Sequence, residues 1–153
     1  MLRAPDGKTE VSWVPRHQLS VALEVFKEFI YEGAEVSEGI SLTEIISGLL
    51  KSNVRLGVIY KIDPFVPIGS WFSDIRIDNV QNYDYVTIYG LSGIKPNAWA
   101  LGVAQLAEAW ARDENCYSYR WYGRLGWLRY VKGAKLLETV NPRAGLFEKV
   151  IEL

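Results

Sequence analysis

Cysteine, histidine and methionine each occur only once in the 153 residues. The single cysteine, Cys116, excludes an internal disulfide and is consistent with a reducing compartment. One Cys and one His, His17, cannot build a zinc centre. A carboxylate-only metal site stays formally open, and no metal is expected. Cys116 sits in an apolar, strand-like run and reads as a small buried hydrophobe rather than a nucleophile paired with His17. Charge of one sign is also missing: 17 Lys and Arg stand against 18 Asp and Glu, a formal net charge of -1. That excludes bulk electrostatic attachment to nucleic acid and leaves only a local basic patch. No run approaches the roughly 18 apolar residues of a membrane span. The N-terminal Met1–Lys8 stretch has no apolar region of the secretory kind. P-loop, G-x-G-x-x-G, G-x-S-x-G and H-E-x-x-H motifs are all absent.

What is present is an ordinary globular composition, with 49% hydrophobic and 23% charged residues. A chain of this length forms one domain, here 1–153, with a core large enough to need no staples. Aromatic residues are plentiful: Trp 6, Tyr 9 and Phe 5 make up 13% of the chain. Many belong in a core, and the excess also suggests contact with a partner or with a second copy.

The periodicities predict an alternating order of elements. Glu10–Trp13 reads as a strand. After Pro15, the residues Leu19, Ala22, Leu23, Phe26, Phe29 and Ile30 recur at helical spacing, with Gly33 as the stop. Glu35 to Gly39 reads as a polar connection. Ser41-Leu42-Thr43-Glu44 is a capping box, followed by the stripe Leu42, Ile45, Ile46, Leu49 and Leu50. Three strands follow, Arg55–Ile62, Ile68–Ile77 and Tyr83–Tyr89, separated by Asp63–Pro67 and by the Asp78–Asn82 turn, an antiparallel meander. Gly90–Lys95 reads as a loop. Pro96 opens a helix to Asp113 carrying Trp99, Val103, Leu106 and Trp110 on one face. Cys116–Tyr122 is a strand and Gly126–Lys132 a short helix ending at Gly133. Lys135–Val140 and Leu146–Leu153 are strands around the Asn141-Pro142-Arg143 turn. The fold class expected is α+β, a mostly antiparallel twisted sheet of about six to seven strands flanked by about four helices.

This order resembles the GCN5-related N-acetyltransferases (GNAT) over nearly the whole chain. The segments that carry the resemblance are Tyr83–Tyr89, Gly90–Lys95, Pro96–Asp113, Cys116–Tyr122 and Gly126–Gly133. The stretch GRLGWLRYVKGAK, from Gly123 to Lys135, is similar to small GNAT-like proteins of tailed bacteriophages. Family members that bind acetyl-CoA carry Gln/Arg-x-x-Gly-x-Gly/Ala between the central strand and the main helix, where backbone amides cradle the pyrophosphate. Here the window Leu91–Trp99 holds a single glycine, Gly93; Pro96 removes a donor, and Trp99 brings bulk. The resemblance implies that acetyl-CoA, if bound, would meet Ile88, Gly90, Gly93, Lys95 and Asn97. It also implies a tyrosine acid four residues before a terminal glycine. Tyr130, three before Gly133, is the candidate, one position out of register. A base is expected among Asp74, Asp78 and Asp84. His17 reads as exposed or capping.

Arg120, Arg124, Arg129, Lys132 and Lys135, interleaved with Trp121, Tyr122, Trp127 and Tyr130, form a basic and aromatic cluster that resembles a nucleic-acid grip. A solvated face with snorkelling stems over a core is the preferred reading. The missing pyrophosphate motif, the displaced tyrosine, the aromatic excess and the phage-like segment point first to a non-catalytic GNAT-like protein without cofactor. Its expected role is interaction or structure, as a bacteriophage virion component located in the host cytoplasm or the particle, with protein partners or self-association and no membrane. The alternative is an acetyl-CoA-dependent N-acyltransferase acting on an amine. A third reading is a nucleic-acid-contacting accessory protein.

Overall fold

The computed structural model describes residues 2–3, 8–37 and 40–151. Glu38 and Gly39 of the expected polar connection, and Glu152 and Leu153 of the last expected strand, lie outside the described residues. In chain order the strands are β1 Leu2–Arg3, β2 Thr9–Trp13, β3 Arg55–Lys61, β4 Val66–Ser73, β5 Ile75–Asp78, β6 Tyr83–Gly93, β7 Ser118–Arg124, β8 Lys135–Asn141 and β9 Ala144–Val150. The helices are α1 Leu19–Val25, α2 Lys27–Glu35, α3 Leu42–Leu50 and α4 Ala100–Asp113. The strands form one sheet in the order β1-β2-β3-β4-β6-β7-β9-β8, with β5 also paired to β6. Every pairing is antiparallel except β6 with β7, which is parallel.

Alternation along the strands feeds two cores, one on each face of the sheet. Ile59, Val86, Ile88, Trp121 and Phe147 point to α4, whose Val103, Leu106 and Trp110, with Trp99 just before it, complete that core. Leu56, Val58 and Phe72 point the other way, to Phe26, Ile30, Ile45 and Leu49 of the α1–α3 layer. The expected stripe of the long helix is therefore its buried face. Five of the six tryptophans, all but the half-buried Trp13, are buried, so their abundance reflects core packing.

Several expected boundaries move, for physical reasons. The first helix is two, because the backbone at Phe26 leaves helical values (φ -102, ψ 15). The hydrogen-bond ladder survives the bend, since Phe26 N–H still reaches Ala22 and Ile30 N–H still reaches Phe26. Gly33 does not stop a helix; it is buried inside α2, against β6. The strand expected over Ile68–Ile77 is broken at Asp74, where Thr87 Oγ1 accepts from the Asp74 N–H and the Thr87 N–H donates to the Asp74 carbonyl. The loop expected over Gly90–Lys95 is largely strand, since β6 continues through a bulge to Gly93. Pro96 opens only a 3-10 turn, Pro96–Ala98, and α4 starts at Ala100. Cys116 precedes β7 rather than starting it. The short helix is a 3-10 turn, Leu125–Arg129. The strand count rises to nine among the described residues because β1 and the split-off β5 are added.

The capping box forms as expected: Glu44 N–H donates to Ser41 Oγ at 3.2 Å. Replacing Ser41 by Ala should therefore lower the unfolding free energy by about 1 kcal/mol. Urea denaturation checks this, and an unchanged midpoint would show the cap to be idle.

Candidate functional site

Parallel pairing of β6 with β7 lasts only from Tyr85–Ser118 to Ile88–Trp121. Beyond that point β6 stays with β4, and β7 stays with β9. The facing edges of the two strands then have no ladder partner in each other, and this unpaired divergence is the gap between them. Just past it, three steps along β6 (Tyr89 to Ser92) match two along β4 (Phe72 to Ser70), a bulge. Gly90 carries it with φ +58, a conformation that costs glycine little. A side chain at Gly90 would run into the Phe72 ring. On the α2 side a Cβ at Gly33 would strike the Gly90 carbonyl oxygen. Two glycines thus let helix and bulge touch.

The far end of β6 leads into an exposed turn. Gly93, Ile94, Lys95, Pro96 and Asn97 are all exposed, and Lys95 is left-handed at φ 53. Trp99 brings its bulk to the inner side of this turn. The ring lies beneath, against Gly93, and its Nε1 donates to the Ile94 carbonyl at 2.7 Å. The turn consumes the amides of Ala98 and Trp99, bonded to Lys95 and Pro96 oxygens at 3.0 and 3.1 Å. The α4 ladder begins with Val103 N–H to Trp99 O, so the N–H groups of Ala100, Leu101 and Gly102 have no acceptor within the helix.

On the face opposite α4, a polar network ties β5, β6, β7 and β9 together. Glu148 Oε2 accepts from Tyr83 at 2.6 Å, Ser118 at 2.7 Å and Arg120 Nε at 2.8 Å. Arg120 also donates to Asp78 Oδ2 at 2.7 Å and lies 4.1 Å from the centre of the Tyr85 ring. Burial pushes the Glu148 carboxyl up, but the bonds from Tyr83, Arg120 and Ser118 outweigh it and hold it below the usual range. Asp78 is likewise low, through the Gln81 backbone N–H first and Arg120 second. Closer to the gap, Asp74 is held by Arg76 Nε at 2.9 Å and Thr87 Oγ1 at 2.7 Å. Arg76 lies over Tyr89, whose hydroxyl is pushed up by burial and then by Asp74.

The expected site residues separate into groups. Ile88 is the last paired residue before the gap, Gly90 forms the bulge, Gly93 ends β6, and Lys95 and Asn97 lie on the exposed turn. Tyr130 caps the 3-10 turn, its ring edge-on to Trp127 at 6.0 Å; Trp127 in turn faces Trp121 at 6.0 Å. A chain of rings therefore connects Tyr130 to the point where the strands part. Of the three aspartates, Asp78 caps its turn and Asp84 is exposed, while Asp74 lies beside Tyr89. His17 is exposed in a 3-10 turn. The basic and aromatic cluster does not hold together: Arg120 is neutralised by two carboxylates, and Trp121 and Trp127 are core residues. The Arg120 network was not expected, since its members come from four strands.

No family model matches the sequence, and no curated protein matches it either. Solved structures do. A chain from the NatC complex bound to Gag peptide and CoA aligns with a TM-score of 0.63 at 12% identity, covering 95% of this chain and 99% of that one. An acetyltransferase of the GNAT family from Staphylococcus aureus aligns with a TM-score of 0.59 at 10% identity, covering 94% and 99%. The PaiA N-acetyltransferase from Thermoplasma acidophilum, in complex with coenzyme A, gives 0.54 at 16% identity, covering 93% and 98%. The chain has the GNAT fold.

Within the GNAT fold the main helix is α4, which starts at Ala100, directly after the window Leu91–Trp99.

The network makes a prediction about acid. A carboxyl held below its unfolded value of about 4.3 contributes stability above that pH and loses it as pH falls through the folded value. Glu148→Gln should cost about 2 kcal/mol at pH 7 and flatten the loss of stability below pH of about 4.3. Denaturant titrations at pH 7, 4 and 3 check this; parallel losses in both proteins would contradict it.

Proposed function

We propose that the protein is an acyl-CoA-dependent N-acyltransferase with an amine acceptor. The observation that carries the reading is the gap between β6 and β7, with its bulge at Gly90 and the α4 start at its end. The residues at that end fit a diphosphate: an exposed Lys95 and three helix-start amides supply cationic and N–H donors to an anion. Lys95 and the Ala100, Leu101 and Gly102 amides would hold it. The open edge of β6 after Ile88 would pair with an extended amide arm, as a missing strand would. Acyl-CoA, when bound, would supply the acyl group as a thioester. A backbone N–H at the bulge would stabilise the oxyanion that forms on attack. Asp74, fixed by Arg76 and Thr87, would take the proton from the attacking nitrogen. Tyr130 would give a proton to the coenzyme A thiolate that leaves as the thioester carbon–sulfur bond breaks.

A non-catalytic interaction protein is the second reading. It is favoured by the Ala98 and Trp99 amides, which the turn spends on itself.

Isothermal calorimetry with coenzyme A decides between them. The acyltransferase reading expects saturable heat and a rise in melting temperature. Lys95→Glu should weaken that binding about tenfold while leaving the melting temperature of the free protein unchanged. Tyr130→Phe should bind coenzyme A normally and lower turnover about 100-fold in a thiol-release assay. No heat and no thermal shift at millimolar coenzyme A would leave the non-catalytic reading.

A further inference from the structure

We infer that Gly33, on a helix outside the gap, is a positioning residue for the acyl carbonyl; the inference rests on the acyltransferase reading. The bulge peptide is gripped from one side. A methyl group on Gly33 would overlap the Gly90 carbonyl oxygen, so this oxygen points out of the sheet at α2. In an ordinary strand a carbonyl lies in the plane of the sheet, toward its neighbour. The peptide is trans, so the Leu91 N–H points the opposite way from the Gly90 oxygen. That turns it from α2 toward the α4 face, just past the last β6–β7 pair. The direction of the donor at the gap is therefore set by how closely α2 approaches.

Two more contacts hold this approach. Gly90 is backed by the Phe72 ring, which would collide with any side chain there. Ser37 Oγ lies 3.1 Å from where a Gly90 Cβ would sit, and the same hydroxyl donates to the Gly33 carbonyl at 2.8 Å. Alanine at 33 favours the helix by propensity. Only the contact with the bulge demands glycine. Backbone cannot move aside as a flexible side chain can, so Gly33→Ala must push α2 off the bulge or rotate the peptide. Either movement turns the Leu91 N–H, and it leaves the α4 start and Lys95 untouched.

The test is a split between two ligands differing only in the acetyl group. Wild type, Gly33→Ala and Gly48→Ala are titrated calorimetrically with coenzyme A and with acetyl-CoA. Gly48 is the control: it is also a helix-interior glycine, but its Cβ would meet the Val54 side chain, away from the bulge. Gly33→Ala should keep its coenzyme A affinity within twofold and lose about tenfold in acetyl-CoA affinity. Gly48→Ala should bind both as wild type does. If Gly33→Ala does not fold, Ser37→Ala, which removes one oxygen from the grip, must show the same split more weakly. Equal retention of acetyl-CoA and coenzyme A in the variants overturns the role of Gly33 alone. Uptake of neither ligand by wild type overturns the acyltransferase reading, and this inference with it.

Discussion

Four residue pairs of parallel ladder, from Tyr85–Ser118 to Ile88–Trp121, join two antiparallel halves of the sheet. Everything else in the molecule follows from how that short joint is held closed on one side and left open on the other. Parallel strands need cover on both faces, because their connection runs through a helix. Here α4 provides that cover on one face. Trp121 stacks between Tyr119 at 5.4 Å and Phe147 at 5.5 Å, so the last closed pair is anchored by stacked rings. On the opposite face the joint is closed by charge instead: Arg120 spans Asp78 and Glu148. Polar and apolar locks thus secure the same four pairs from opposite sides.

The two locks differ in kind. Stacked rings are indifferent to pH, whereas the Glu148 lock weakens as its carboxyl is protonated. Its Oε2 accepts three hydrogen bonds, so neither partner is left as an uncompensated buried charge. Beyond the joint there is no lock at all between β6 and β7. The bulge at Gly90 is held from behind, by α2 and Phe72, and not from across the gap. A rigid backing with an open front suits a backbone that must meet a ligand without rearranging.

The fold neighbours bring chemistry of one kind, acyl transfer, but at 9–19% identity they fix only the architecture. What this chain adds is its own. Its exposed turn carries Lys95 and a single glycine, Gly93. Its Trp99 goes inward to satisfy its indole on Ile94. Bulk in a sequence is not obstruction until its direction is known.

Local signals decided much of this molecule. The capping box at Ser41, the stripe from Trp99 to Trp110, and the alternation of Val86 and Ile88 against Tyr85, Thr87 and Tyr89 each depend on spacing along one element, and each formed as read. The order of elements followed from them, and with it the fold class. Contacts between distant segments decided the rest. Gly33 looks like a helix stop until Gly90, 57 residues later, arrives beside it. Arg120 looks like part of a basic patch until Asp78 and Glu148 are brought to it by two other strands. Asp74 is one aspartate of three until the break in the β4–β5 strand sets it against Thr87. Spacing encodes which way a side chain faces within its own element, because that depends on backbone geometry alone. Which partner it meets depends on register and crossing, and those are set only when the sheet assembles.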